Sequence, residues 1–537
     1  MAATEDLYDY VIVGAGSAGC ALANRLSADP ANRVLLLEAG PRDTNPWIHI
    51  PVGYFKTMHN PKTDWCFVTE PDPGLDGRAL QWPRGRVLGG SSSLNGLLYI
   101  RGQAEDYDHW RQLGNAGWSY DDVLPYFIRA EDQERGTDDF HGVGGPLTVS
   151  NNRMVSELGD AIIAAATEVG IPANDDFNGA CQEGVGYFQV TIRNGLRCSA
   201  AVGYLRPVKD RRNLRVVTDS QVEAVTIRDN RATGVRYRRG GATVRANAGR
   251  EVILSAGAIG SPHLLMLSGI GPAAMLRSFD VDVIRDLPGV GANLQDHLQI
   301  RAIYGCAKPI TLNDQMRNPL RKMWAGIEFA LLRRGPLTLA ASQVCIFCRS
   351  RPELERPDIQ FHIQPLSADS PGEGLHKFSA FTFSVTQLRP ESRGRIELTS
   401  PDPTAHPAIV PNYLSTPTDR QVAVDSLKMA RRIAAAPALA PYVSEEIRPG
   451  PEARTDDDLL HFARTGSTTI YHPVGTCKMG QDQNAVVDER LRVHGVDGLR
   501  VVDASIMPTL VSGNTNAPAI MIGEKAADMI LEDARGG

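Results

Sequence analysis

Tyr10-Val11-Ile12-Val13-Gly14-Ala15-Gly16-Ser17-Ala18-Gly19 is the stretch that decides the fold. A short apolar run ends in three glycines spaced as G-x-G-x-x-G. Ser17 to Ser27 then has helical spacing, with Ala18, Leu22 and Leu26 on one face. Val34–Leu37 is a second apolar run, and it closes on Glu38. Strand, helix and strand in that order form a βαβ unit, which requires a parallel sheet. The glycines permit a tight turn, close approach of backbone to a pyrophosphate, and close strand–helix packing. The helix start offers unpaired N–H groups to phosphate. Glu38 stands where an acidic side chain accepts bonds from ribose hydroxyls. The unit predicts a dinucleotide site but does not choose between nicotinamide and flavin dinucleotides.

Working outward, Pro41 to Asn95 is rich in Pro, Gly and Trp and reads as long loops, which inside a compact domain are usually functional. Glu157–Val169 reads as a helix; Leu214–Val217, Val222–Ile227, Gly234–Arg238 and Glu251–Ser255 read as strands. Asp358–Ile363, Phe378–Leu388 and Gly394–Leu398 alternate apolar and polar residues, which predicts an antiparallel sheet with one covered face. Leu499–Asp503 and Ala517–Leu531 read as a strand followed by a helix. With 537 residues the chain exceeds what a single core usually fills. The expected class is α/β. A Rossmann-like dinucleotide-binding domain with a parallel sheet (7–155, 216–300 and 469–537) is interleaved with a substrate domain (156–215 and 301–468) built on an antiparallel sheet covered by helices.

Composition narrows the function. Lys and Arg number 56 against 62 Asp and Glu, a net charge of −6, which argues against a nucleic-acid surface. The eight cysteines are scattered, and the one close pair, Cys345 and Cys348, lacks the second pair a zinc site would need, so both read as ordinary thiols in a reducing compartment. The start Met-Ala-Ala-Thr-Glu-Asp has neither the basic nor the apolar region of a secretory signal. No stretch approaches the ~20 apolar residues of a membrane span. The helix-like Met323–Leu332 is about half that length and is compatible with peripheral membrane contact. The expected location is the cytoplasm, including the inner face of the cell membrane.

Four further segments carry a family resemblance: Gly85 to Gly96 (GRVLGGSSSLNG), Gly257 to Gly271 (GAIGSPHLLMLSGIG), Tyr471 to Gly480 (YHPVGTCKMG), and Val502 to Pro508 with Gly513 to Asn516. Together with the N-terminal unit they resemble the glucose–methanol–choline (GMC) oxidoreductases over nearly the whole chain, most of all the choline-dehydrogenase-like and long-chain alcohol dehydrogenases. The resemblance implies FAD. It places Gly14, Gly16, Ser17, Gly19 and Glu38 on the ADP half, with the backbone of Val222 at the adenine. It sets Gly90, Ser91, Asn95 and Gly96 along the flavin and ribityl side, and Asp503 and Thr515 near the pyrophosphate and isoalloxazine. Some members bond the flavin covalently through a His just before the Asn of the first segment. Here that position is Leu94, so the expected FAD is non-covalent.

Oxidising an alcohol needs a proton acceptor and a fixed donor for the developing alkoxide. A His suits the first, with an unperturbed pKa of ~6.5, and an Asn amide suits the second. The resemblance places His472 as the base and Asn514 as its partner. Asn516 then reads as a turn amide or flavin contact, His297 as a hydrogen-bonded structural residue near the domain junction, and His263 as packing. Trp65 and Tyr471 are candidate pocket aromatics. The activity implied is oxidation of a neutral primary alcohol to an aldehyde, electrons passing to a quinone-type acceptor. An oxidase using O2 and a hydroxynitrile-lyase-like enzyme are the alternatives. Choline would need a carboxylate and an aromatic cage, and neither is evident.

Overall fold

The computed structural model describes residues 7–369 and 374–536. The reading of Met1–Asp6 lies outside them.

The βαβ unit forms as its pattern requires. Strand Leu7–Val13 leads through the glycines into helix Ser17–Leu26, and Val34–Leu37 pairs parallel to the first strand. Leu214–Val217 adds parallel to Val34–Leu37 on the outer side. On the inner side lies the long strand Ala242–Leu254, whose two halves have different partners. Its C-terminal half pairs parallel with Leu7–Val13 and Leu499–Val501, while its N-terminal half turns back in an antiparallel meander with Arg231–Arg239 and Gln221–Arg228. Val13, Leu37, Leu254 and Val501 thus end at one edge, where ligands bind in open parallel sheets. Helix Asn516–Gly536 packs on helix Ser17–Leu26.

The second sheet is antiparallel, in the order Val443–Arg448, Leu298–Cys306, Ala380–Gln387, Ile359–Gln364, Val344–Cys348, Gly184–Tyr187. Two expectations change here. Arg395–Glu397 does not join this sheet but pairs with Ala408–Val410 in a two-stranded ribbon, because Gly394 is bonded to Leu294 and the chain turns away. Nor is the sheet covered on one face only. Strands Ile359–Gln364 and Ala380–Gln387 are buried at nearly every position. Cross-strand pairs share a face, so Ile300, Val385, Phe361 and Ile346 form an apolar side under helix Pro417–Ala434. Gln299, Arg301, Ser384, Thr386, Gln360 and His362 form the opposite side. The polar half of the alternation therefore faces the interior cavity.

The two sheets draw on alternating stretches of chain. Leu214–Val217 belongs wholly to the first and Leu298–Cys306 wholly to the second. Cys345 and Cys348, three apart on one strand, lie on opposite faces, and both are free buried thiols. Among the described residues no helix is long and apolar enough to cross a membrane.

Candidate active site

One cavity of about 2500 Å³, counted to its open mouth, runs between the C-terminal edge of the first sheet and the polar face of the second. Gly14, Gly16, Ser17, Glu38, Gly90, Ser91, Asn95, Gly96, Val222, Asp503 and Thr515 line it, as do His472, Asn514, Trp65 and Tyr471. Gly19 does not. A Cβ there would stand 2.0 Å from the Gly14 carbonyl oxygen, so Gly19 serves the packing of turn against helix rather than the cavity wall.

The first-sheet end fits a dinucleotide. Gly14 has φ +100° and no room for a Cβ, whereas a Cβ on Gly16 would meet nothing nearer than 4.0 Å and would point into open cavity. Gly16 starts its helix without a side-chain cap, which leaves the first N–H groups to an anion. The Glu38 carboxylate accepts from Ala15 N at 3.0 Å and Gly40 N at 2.8 Å, and burial pushes its pKa up to about 7. Ser220 N donates to the Glu38 carbonyl, setting Val222 beside it. Asp503 is spent internally, on Gly257 N, Ser261 Oγ and Ser505 N, and so anchors the start of helix Gly257–Leu267. Asn95 Oδ1 accepts from the buried Arg197 at 2.6 Å. Ser17 Oγ donates to Asn516 Oδ1 at 2.7 Å, tying the two ends of the chain together. Leu94 is buried and has no nucleophilic atom to bond a flavin.

Trp65 falls at this nucleotide end. It stacks on Phe67, which contacts His406, and carries the Arg86 guanidinium 5.1 Å above its ring; Arg86 in turn bears on Glu38. The expected pocket aromatic Trp65 thus lines the cavity beside Phe67 and Arg86. His263 also faces the cavity rather than the core.

At the other end His472 Nε2 lies 3.1 Å from Asn514 Nδ2, across 42 residues of chain. The backbone that holds His472 is strongly specified. Tyr471 adopts φ +70°, costing ~1–3 kcal/mol, and its carbonyl accepts from Arg84 at 2.6 Å. His472 N donates to Asp296 Oδ1 at 2.7 Å, and Thr469 and Tyr413 hydroxyls donate to Asp296 Oδ2. Burial raises the Asp296 pKa to about 6.

The segment carrying Asp296 also carries His297, whose Nδ1 lies 3.0 Å from His472 Nδ1 and whose Nε2 lies 2.9 Å from the Leu388 carbonyl oxygen. A carbonyl only accepts, so His297 carries its proton on Nε2. Burial lowers its pKa to about 4, so the ring is neutral and Nδ1 is a lone pair. That lone pair needs a donor, which places the His472 proton on Nδ1 and leaves His472 Nε2 free as an acceptor. Asn514 donates one amide hydrogen to it. Gln360 Nε2, 3.5 Å from Asn514 Oδ1, supports that orientation of the amide. Burial, with His297, His362 and Arg84 nearby, holds the His472 pKa well below the usual range. His297, expected to be structural, touches His472 itself. The polar positions Gln299, Arg301, Gln360 and His362 were not predicted, because polar residues alternating along a strand read as solvent-facing.

Models of the GMC oxidoreductase family match residues 8–299 and 390–523. Human mitochondrial choline dehydrogenase is 47% identical over 536 residues, covering 98% of this chain and 90% of that one. The alcohol dehydrogenase [acceptor] of Pseudomonas putida is 44% identical over 528 residues, covering 98% and 96%. Among solved structures, an FAD-dependent oxidoreductase from Chaetomium thermophilum superposes with a TM-score of 0.90 at 27% identity, covering 98% and 100%.

Proposed function

The chain belongs to the GMC oxidoreductase family, and on that premise we propose that His472 is the base and Asn514 the hydrogen-bond donor in oxidation of a primary alcohol to an aldehyde, with electrons passing to a quinone-type acceptor. FAD-dependent oxidation of CH–OH groups is the family activity and the activity of this enzyme. Bound FAD supplies the acceptor for the hydride that leaves the carbinol carbon. The substrate hydroxyl takes the place of Asn514 at His472 Nε2, donating to that lone pair and accepting from the released Asn514 amide hydrogen. His472 Nε2 accepts the hydroxyl proton while Nδ1–H stays bonded to His297. The Asn514 amide steadies the alkoxide as charge develops, and as a neutral donor it does not compete for the proton.

The observation that carries this reading is the 3.1 Å contact of a tautomer-fixed imidazole with a carboxamide. The test is anaerobic mixing of alcohol with FAD-loaded enzyme. His472→Ala should slow flavin reduction by at least the ~10²-fold of a lost general base; reduction at near wild-type rate would remove His472 from the role.

The acceptor is proposed from the surface. Helix Pro319–Leu332 buries Ala325 and Phe329 and turns Leu320, Met323, Trp324, Ile327 and Leu331 outward, at 71, 60, 65, 41 and 77% exposure. Their spacing makes one apolar stripe, flanked by the exposed Arg317, Arg321, Lys322, Arg333 and Arg334. An outward apolar stripe with a cationic border suits an anionic bilayer surface, where quinones reside. Co-sedimentation with phosphatidylglycerol vesicles should be strong, weaker with phosphatidylcholine, and lost in Trp324→Glu. Equal sedimentation of that variant, or a stripe closed by dimerisation in solution, would reassign the face. Reduction of a quinone analogue with little peroxide in air would accompany the proposed acceptor; stoichiometric peroxide would make the enzyme an oxidase.

A further inference from the structure

Arg301 is 7% exposed and lines the substrate end of the cavity, on the polar face of strand Leu298–Cys306. Its Nη1 is buried with no hydrogen-bond partner, and among the described residues no carboxylate comes within the 4.0 Å of an ion pair. The carboxylate that bears on it, Asp369, is taken by Arg448 and by His376 at 3.3 Å. The carboxylates lining the cavity among the described residues are Glu38 and Asp503, both at the nucleotide end and both held by backbone N–H groups. A buried guanidinium without a counter-charge is expensive. Among the described residues, therefore, Arg301 has no negative partner of its own at this end of the cavity.

We propose that Arg301 anchors an anionic group on the substrate, so that the alcohol oxidised here carries a carboxylate at the end remote from its hydroxyl. The proposal rests on the reading of His472 and Asn514 as the hydroxyl site. Alternation along the strand puts His297, which touches His472, on the same face as Arg301. Arg301 lies four positions further along the chain, ~13 Å between Cα atoms in extended backbone, so it stands apart from the His472–Asn514 pair rather than beside it. That span fits an ω-hydroxycarboxylate with a medium chain and excludes an α-hydroxy acid, whose two groups are adjacent. Gln299 stands between the two ends and presents an uncharged amide to the chain. A quaternary ammonium alcohol would meet Arg301 where it needs a carboxylate.

The test compares kcat/KM, with FAD-loaded enzyme and a dye acceptor, for a homologous series of ω-hydroxycarboxylates and their methyl esters. Wild type should favour the carboxylate about 10- to 100-fold, the ratio typical of a charge-assisted hydrogen bond, with the advantage residing mainly in KM. Arg301→Gln should bring the ratio close to one, and Arg301→Lys should keep part of it. Because Arg301 has no ion-pair or hydrogen-bond partner among the described residues, Arg301→Gln should melt no lower than wild type, which separates recognition from misfolding. A wild type indifferent to the carboxylate, or Arg301→Gln retaining the preference, overturns the proposal. If neither acids, esters nor plain alcohols reduce the flavin, the reading of His472 and Asn514 fails instead.

Discussion

Replacing His297 by Ala tests the proposed site more sharply than removing His472 itself. In the wild type the neutral His297 ring takes the His472 Nδ1 proton at 3.0 Å, and the opposite nitrogen stays open for the substrate. Without His297 that N–H is left buried with no acceptor, which costs about 1–3 kcal/mol. The imidazole can recover this energy by moving its proton to Nε2 and bonding the Asn514 carbonyl oxygen, but in that tautomer it cannot accept from an alcohol. The penalty thus appears as loss of the competent state, roughly 5- to 150-fold in the rate of flavin reduction at ~1.4 kcal/mol per decade. His297→Asn is the control. Its Oδ1 can occupy nearly the place of Nδ1 and accept the same hydrogen, though the bond to Leu388 is lost. Anaerobic stopped-flow reduction should show His297→Ala slow, His297→Asn recovering most of the rate, and FAD content equal in all three. If His297→Asn falls as far as His297→Ala, or if His297→Ala reduces normally, the tautomer argument is wrong.

Two further outcomes follow from burial and backbone geometry. His362 is 2% exposed and its pKa is lowered to about 3 by burial, so between pH 7 and pH 5 the unfolded chain gains a proton there that the folded one refuses. Stability is lost as pH falls, on the order of 2 kcal/mol at this position. His362→Phe should gain that much relative to wild type on going from pH 7 to 5 in urea titrations, and a difference independent of pH would show that His362 is protonated in the fold. For the glycine turn, Gly14→Ala meets the Ser255 carbonyl at 2.4 Å with φ +100° and should lower the melting temperature with or without cofactor. Gly16→Ala meets nothing within 4.0 Å and should melt normally as apoprotein yet bind FAD weakly; normal FAD titration of Gly16→Ala would move the dinucleotide elsewhere.

The parts of the molecule legible from sequence are those where local chemistry and fold coincide. Val34–Leu37 takes the limits its apolar run suggests, because a parallel strand buried on both faces admits only such residues, and Leu214–Val217 takes its expected limits as the edge strand beside it, with Arg215 exposed. Gly14, Gly16 and Gly19 could be read because each position forbids a side chain for a separate reason, and the structure divides those reasons between turn, cavity and packing. His472 and Asn514 were found through family resemblance. Spacing gave nothing, since the two are 42 positions apart with loop, strand and turn between them, and only the fold brings the two side chains to 3.1 Å.

The substrate side misled for one physical reason. In a strand an alternating polar residue ordinarily faces water, so Gln299, Arg301, Gln360 and His362 looked like the wet side of a half-buried sheet. Here the first sheet and its loops close over that side and turn the wet face into the wall of a chamber. Burial at such positions is chosen by long-range packing, and no window of sequence contains it. What sequence can carry is the cost. Arg301 in a strand between Ile300 and Ala302 is unremarkable if exposed and expensive if buried, and a family fold that buries it converts the residue from decoration into a demand for a partner. The same logic separates His297 from an ordinary core histidine: its two nitrogens have one carbonyl and one imidazole between them, and that asymmetry decides which nitrogen of His472 can take a proton.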